Sequence, residues 1–183
     1  MFSPGNANPK SSQTLKTKGK NNMTDARKRH WVFRAHVQDR AGALTSIASA
    51  FSNEGISIDT VVGHGIEEQA GVDGSVVMTF WCNEAEKDVM VRKVRRLSKV
   101  TRLEEHLYAS QNLRKSAIVT TIRRLAPRDV AGDQTFLTCE LVNTDADAFT
   151  YFLAGSPSEL DPVLKKLETE GVVTDIVFSV IGL

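Results

Sequence analysis

The segment Asp39-Arg40-Ala41-Gly42 has residue types and spacing that suit the binding of a small zwitterion. It joins the end of a predicted strand to the start of a predicted helix, where free backbone N–H groups and the helix dipole attract a carboxylate. Gly42 lets the backbone approach a ligand, and Asp39 could accept hydrogen bonds from an α-ammonium group. Together they would hold both charged ends of an amino acid. In a simpler alternative, Asp39 only caps the helix and Gly42 only turns the chain.

Signatures of catalysis and of metal binding are not found in the sequence. It contains no nucleophile elbow, no His-Glu-x-x-His, no glycine-rich phosphate loop and no Cys-x-x-Cys. The histidines are scattered without metal-ligand spacing, at His30, His36, His64 and His106. Cys82 and Cys139 each lie in an apolar run, and both are predicted to be buried thiols in a reducing cytoplasm. We therefore expect a noncatalytic protein without metal or cofactor.

The elements that would position the binding segment follow from hydrophobic periodicity. Alternation predicts a strand at 31–38, and Leu44, Ile47, Ala48 and Phe51 recur at helical spacing. The remaining elements are strands at 56–62 and 75–82, a helix that opens at Asn83 with the stripe Val89, Met90, Val94 and Leu97, and a strand at 100–108. This order is the ferredoxin-like βαββαβ arrangement of the α+β class, with both helices on one face of an antiparallel sheet. The other face must stay in water or meet a partner.

The second half approaches the same order after a polar connection at 110–115. The pattern predicts strands at 117–125, 138–142, 148–154 and 172–183, a turn at 143–145, and at most two helical turns within 128–137. The last helix carries an apolar stripe, and its start is open. Ser156 with Glu159 is a good cap but would place Pro162 inside the helix, whereas a start at Asp161-Pro162 avoids that cost. We expect a second, partly degenerate ferredoxin-like domain whose first helix is eroded.

Composition and charge complete the predicted organisation. The chain has 183 residues, 41% apolar and 25% charged, as in soluble globular proteins. Its longest uncharged stretch, 41–53, is too short to cross a bilayer, so no membrane association is expected. Residues 1–29 form a predicted flexible basic tail, followed by domains at 30–110 and 111–183. Translation from Met23 would remove residues 1–22, and organelle import by the tail is a minor alternative to a cytoplasmic location. The rest of the chain is acidic, which argues against a specific nucleic-acid partner.

A resemblance to a known family rests on three stretches of the first half. The run His36-Val37-Gln38-Asp39-Arg40-Ala41-Gly42-Ala43-Leu44, the apolar helix after it and Gly55-Ile56-Ser57-Ile58 resemble an ACT domain over 31–108. Within that superfamily the chain is most similar to the regulatory small subunit of acetolactate (acetohydroxyacid) synthase, in which an ACT domain precedes a smaller ferredoxin-like domain. Residues 150–155 and the helix after them resemble part of that second domain.

This resemblance implies a homodimer that associates through its ACT sheets and binds a branched-chain amino acid at the interface. The dimer would pass feedback inhibition to a catalytic subunit of acetolactate synthase. By carry-over, the effector-binding residues are Asp39, Arg40, Ala41, Gly42, Ala43 and Leu44, with Ser57 where the family usually has Asn. Because Ser57 is shorter than that amide, a sensor for another amino acid and a dimerisation or scaffold module without ligand stay as alternatives. An acylphosphatase-like enzyme using Arg40 is a remote one, since the strand 56–62 has no Asn.

Overall fold

Two consecutive units, each built on a four-stranded antiparallel sheet, make up the described part of the chain. The computed structural model describes residues 27–38, 42–64, 74–130 and 137–182. The first unit contains β1 (Arg29–Val37), α1 (Ala43–Asn53), β2 (Ile58–His64), β3 (Gly74–Cys82), α2 (Glu84–Arg95) and β4 (Val100–Leu107). The second contains β5 (Leu113–Thr121), α3 (Pro127–Val130), β6 (Thr138–Asp145), β7 (Ala148–Gly155), α4 (Pro157–Thr169) and β8 (Val173–Gly182). The strand orders are β2-β3-β1-β4 and β6-β7-β5-β8, so the predicted ferredoxin-like fold is confirmed.

An aromatic core joins the first sheet to its helices. Phe33, Phe51 and Phe80 come from β1, α1 and β3, and each is almost completely buried. Their rings meet edge to face, with centroids 4.7 Å apart for Phe33 and Phe80 and 4.8 Å apart for Phe51 and Phe80. Such pairs add about 0.5–1.5 kcal/mol each beyond the burial of their area. The core therefore holds α1 firmly, including the end that follows the predicted binding segment.

Helix α1 is rotated relative to the predicted stripe. Its buried residues are Ala43, Ile47 and Phe51, whereas Leu44 is 47% exposed and Ala48 is exposed too. The stripe runs along positions i, i+4 and i+8 from Ala43, and Leu44 lies about 100° further round the helix. The prediction is therefore wrong for Leu44 and Ala48. As a result, a large apolar side chain faces outward at the helix N-terminus.

Helix α2 begins where the capping box predicts. The Glu86 backbone N–H donates to Asn83 Oδ1 at 2.9 Å, and the Asn83 N–H donates to Glu86 Oε2 at 2.8 Å. The buried stripe consists of Lys87, Met90, Val91 and Val94, so the predicted stripe is right for Met90 and Val94. The Lys87 ammonium group is neutralised by carboxylates, among them Glu105 at 2.9 Å on β4.

The second unit departs from its predicted boundaries in several places. Strand β5 begins at Leu113, inside the predicted polar connection, because Leu113 and Lys115 are both buried by other elements. The turn between β6 and β7 lies at 146–147 rather than 143–145, and α3 is a single turn. Cys139 is exposed on edge strand β6, so its predicted burial is wrong, while that of Cys82 is confirmed.

Helix α4 has Ser156 as its N-cap residue, so the first of the two predicted starts is right. The helix begins at Pro157, and Pro162 lies inside it. The Ser156 backbone N–H donates to the Glu159 carboxylate at 3.0 Å, and Leu160 in the first turn is fully buried against the sheet. These contacts, together with the favourable fixed φ of Pro157 at the first helical position, offset the backbone bond that Pro162 removes.

The second unit covers part of the open face of the first sheet, which is the face without helices. Four residues form a small buried cluster there, which we call the joint cluster: Val32, Val77, Leu113 and Val180. The first two belong to β1 and β3, and the last two belong to β5 and β8. The open face that needed water or a partner is thus partly covered by this same chain.

Candidate effector site

Among the described residues, no side chain caps the N-terminus of α1. Gly42 is the N-cap residue, with φ of 85°, in the left-handed region that favours glycine. Its carbonyl oxygen accepts from the Ser46 N–H at 3.0 Å and from the Ser46 hydroxyl at 2.8 Å. Gly42 has no side chain to satisfy the first-turn N–H groups, which carry the positive end of the helix dipole. This end of α1 is therefore suited to receive an anion.

Lys99 lies beside this helix end, although it is not among the site residues that the sequence predicts. A Cβ built on Gly42 would lie 3.1 Å from Lys99 Nζ, and the Gln38 N–H donates to the Lys99 carbonyl at 3.0 Å. The strand order of the ferredoxin-like fold could have identified Lys99 as a neighbour of this helix end. In the ferredoxin-like order β4 lies next to β1, and Val37 pairs with Val100, so the residue before β4 reaches the loop after β1. Its ammonium group adds positive charge where the helix dipole is also positive.

The other residues carried over from the family divide into three groups. Asp39, Arg40 and Ala41 lie outside the described residues. The Ala43 side chain is buried in the core, so Ala43 can offer a ligand only its backbone. Gly42 and Leu44 are exposed, and Leu44 places an apolar surface next to the polar helix end.

Ser57 lies at the opposite end of α1 from Gly42. The helix has 11 residues and is therefore about 16 Å long, and Gly55, with φ of 67°, turns the chain before Ser57. Ser57 and Gly42 of one chain are thus too far apart to hold one small amino acid. Ser57 instead lines a cavity of about 390 Å³ together with Ala48, Phe51, Ser52, Gly55, Ile56 and Ile58.

A second cavity, of about 400 Å³, lies between α3 and the second sheet. It is mainly apolar, with Leu125, Val130, Leu137 and Leu141 in its wall. The Tyr151 hydroxyl accepts from the Leu125 N–H at 2.9 Å. Among the described residues that line this cavity, Arg124 is charged but no carboxylate is present to pair with the ammonium group of an amino acid, so the α1 N-terminus is the better candidate.

The part of the chain that the structure describes holds neither a membrane-spanning helix nor a metal-binding cluster. None of its helices is long and apolar enough to cross a membrane. Within the same ranges, no three His, Cys, Asp or Glu residues are grouped so that they could hold a metal ion.

The described fold is that of a protein with two consecutive ferredoxin-like units. Among solved structures, the small subunit of acetolactate synthase from Thermotoga maritima is similar with a TM-score of 0.63 and 13% sequence identity, covering 86% of this chain and 96% of that chain. The ligand-free regulatory subunit of aspartate kinase from Thermus thermophilus has a TM-score of 0.43 and 12% identity, covering 77% of this chain and 91% of its own. No family profile matches the sequence, and no curated protein matches it. The fold expected from the resemblance is confirmed.

Proposed function

We propose that this chain is a noncatalytic regulatory protein that binds a small amino acid at the N-terminus of α1. The observation that carries the proposal is the uncapped helix end at Gly42, with the Lys99 ammonium group beside it. Both features attract a carboxylate, and the helix dipole alone contributes about 0.3–1 kcal/mol for a nearby anion. A charge-assisted hydrogen bond from Lys99 would add to this.

The ligand would be held by three kinds of contact. Its carboxylate would accept hydrogen bonds from the first-turn N–H groups of α1 and from Lys99. Its ammonium group would pair with Asp39, as the sequence predicts. Leu44, which is exposed next to the helix end, favours an apolar side chain on the ligand. A branched-chain amino acid such as valine combines these three properties.

A second copy of the chain would complete the site if Ser57 takes part. The length of α1 keeps Ser57 away from Gly42 within one chain. In a symmetric dimer, however, Ser57 of one copy could face Gly42 of the other. A ligand closed between two copies would favour one dimer geometry over another, and such a difference in affinity is what regulation requires.

The partner we propose is the catalytic subunit of acetolactate synthase, in the cytoplasm. Support comes from the fold, which is shared with the Thermotoga maritima small subunit along nearly the full length of that protein. Within this proposal, valine, leucine or isoleucine would act as feedback effector of branched-chain amino acid synthesis.

The test is a thermal-shift screen of the purified chain against the twenty amino acids, followed by calorimetric titration of those that respond. A ligand that binds only the folded state raises the melting temperature, because at one hundred times its Kd it stabilises the folded state by about 2.7 kcal/mol. We expect a selective response to valine, leucine or isoleucine. Selectivity for another amino acid would assign the chain to another pathway, and no response at millimolar concentration would contradict amino-acid binding and favour a scaffold role.

Glycine variants provide a matched control for the location of the site. Gly42→Val should abolish binding, because it strains a left-handed residue and pushes a side chain toward Lys99. Gly63→Val is the control, since a Cβ there meets nothing within 4 Å and its φ is not positive. If Gly42→Val binds the amino acid as tightly as Gly63→Val, the site lies elsewhere.

A further inference from the structure

The cavity between α3 and the second sheet has a largely apolar wall that contains two polar side chains. Its volume of about 400 Å³ lies within the range of about 300–1,000 Å³ that is common for small-molecule sites. The apolar part is formed by side chains of the α3 region and of edge strand β6: Leu125, Ala126, Pro127, Val130, Leu137 and Leu141. Arg124 and Tyr151 supply the two polar side chains. This composition suits a small molecule that is apolar over most of its surface.

The Tyr151 hydroxyl group is able to donate a hydrogen bond to a molecule in this cavity. Tyr151 is only 4% exposed, and its hydroxyl oxygen accepts from the Leu125 N–H at 2.9 Å. Among the described residues, no group accepts a hydrogen bond from this hydroxyl. A buried donor without an acceptor is unfavourable, and an oxygen atom of a ligand would satisfy it. The cavity therefore favours a ligand that carries a hydrogen-bond acceptor.

The Arg124 guanidinium group has no ion-pair partner among the described residues. The neighbouring Arg123 is different, because it is paired with Asp129 at 2.6 Å and with Glu170 at 3.1 Å. Asp129 Oδ2 also accepts from the Ala126 N–H at 2.7 Å, so this carboxylate is already neutralised and leaves Arg124 available. A guanidinium group binds a carboxylate through two parallel N–H donors. The acceptor that the cavity favours is thus an anionic one.

We propose that this cavity is a second ligand site, which takes a small apolar monocarboxylate without an α-ammonium group. The carboxylate accepts from the Arg124 guanidinium group and from the Tyr151 hydroxyl group, and the hydrocarbon part lies against the apolar wall. One cation matches the single charge of a carboxylate better than the nearly double charge of a phosphate monoester. Because no described residue in the wall is a carboxylate, an α-ammonium group would lose its hydration without gaining a partner. The cavity should therefore select an organic acid over the amino acid with the same carbon skeleton.

Alkylation of Cys139 reports on this cavity and not on the proposed effector site. Cys139 lines the cavity and is exposed to reagents. Cys82 is buried, and burial raises the pKa of its thiol to about 12, so it should not react. A molecule in the cavity should slow the reaction of Cys139 with N-ethylmaleimide. An amino acid bound at the N-terminus of α1, in the first unit, should leave that rate unchanged, so the two proposals can fail separately.

The probe is isocaproate, and isocaproamide and L-leucine are its matched comparisons with the same carbon skeleton. At about 10 mM, which is ten times the Kd of a weak millimolar site, isocaproate would fill about 90% of the cavities and slow alkylation of Cys139 about tenfold. The uncharged amide and L-leucine should each need at least tenfold higher concentrations for the same effect. The inference is overturned if isocaproate leaves the rate unchanged, or if either comparison protects Cys139 equally well.

Arg124→Met tests the guanidinium group, and Arg128→Met is the matched control. Both arginines are exposed, but Arg128 is not part of the described wall of the cavity. Arg124→Met should raise the isocaproate concentration that protects Cys139 at least tenfold, and it should remove the preference for the acid over its amide. Arg128→Met should change neither property. Equal protection of Cys139 in the two variants would contradict the site, and the comparison of acid and amide on the unchanged chain tests the same point without a substitution.

Discussion

The Tyr108 ring stacks on the His30 ring at the joint between the two units, with centroids 3.8 Å apart. His30 is on β1, and Trp81 stacks on its other side at 4.5 Å. The Tyr108 hydroxyl group donates to Asp161 on α4 at 3.4 Å. Tyr108 therefore links the first sheet to a helix of the second unit. Together with the joint cluster, this contact makes the position of the second unit sensitive to single substitutions.

Loss of Asp161 should destabilise the joint. Lys115 is only 5% exposed, and its ammonium group donates to Asp161 Oδ1 at 2.6 Å and lies over the Phe178 ring. Asp161→Asn would leave this buried cation without its counter-charge. Because the Asp161 carboxylate is partly exposed, we expect a loss of about 1–3 kcal/mol rather than the full value for a buried pair.

Urea unfolding of the variant measures this loss. Asp175→Asn is a suitable control, because Asp175 is an exposed carboxylate on β8, where a neutral side chain should cost less than about 0.5 kcal/mol. Equal stability of the two variants would show that the Lys115–Asp161 pair is not important for folding.

His30 should make stability depend on pH in the mildly acidic range. Burial lowers the pKa of His30 below 6.5, although Asp59, 3.3 Å away, opposes this effect. The unfolded chain then binds a proton at a higher pH than the folded chain does. Stability is therefore full above about pH 6.5 and falls as the pH drops from there toward the folded pKa, by at most about 1.4 kcal/mol per pH unit.

The contribution of His30 is isolated by comparison with His30→Phe. Phenylalanine keeps an aromatic ring between Trp81 and Tyr108 but cannot titrate. Chemical unfolding between pH 7.5 and pH 5.5 (about one unit on either side of the usual histidine pKa) should show a smaller loss of stability for the variant. Parallel curves for the two proteins would contradict a lowered pKa.

Lys99 should contribute to amino-acid affinity. Lys99→Met removes the ammonium group beside Gly42 but keeps the aliphatic length of the side chain. A charge-assisted hydrogen bond at a helix N-terminus is worth about 1.5–3 kcal/mol, so we expect the Kd to rise by at least about tenfold. Titration calorimetry with the responding amino acid measures the change. Lys99→Arg should retain most of the affinity. An unchanged Kd for Lys99→Met would show that Lys99 does not bind the ligand.

The cap of α2 should be worth about 1 kcal/mol. Asn83→Ala removes the side-chain acceptor for the Glu86 N–H and leaves that donor to water. A lower midpoint in urea with an unchanged m-value is the expected result. Ser98→Ala serves as the comparison, because Ser98 is exposed in the turn after α2. A loss no larger than that of Ser98→Ala would mean that the cap does not hold the helix end.

The order of elements could be predicted from the sequence because its signals are local. Alternation in β1 and the capping box at Asn83 and Glu86 involve residues a few positions apart, and both were found. Gly42 was also found, since a glycine between a strand and a helix has a local geometric reason. The start of α4 was left open because two local signals, Ser156 as a cap and Pro162 as a breaker, disagree.

The sequence by itself determined the two ferredoxin-like orders of strands and helices, because hydrophobic period and capping are properties of neighbouring residues. Only the tertiary structure decided that Leu44 faces outward, that Lys99 reaches Gly42 and that Lys115 is buried beside Asp161. Each of these depends on a partner many residues away, or on the rotation of a whole helix against the core. The packing of β1, β4, β5 and α4 supplies those partners. Local sequence patterns cannot predict them, because the partners are far apart in the chain.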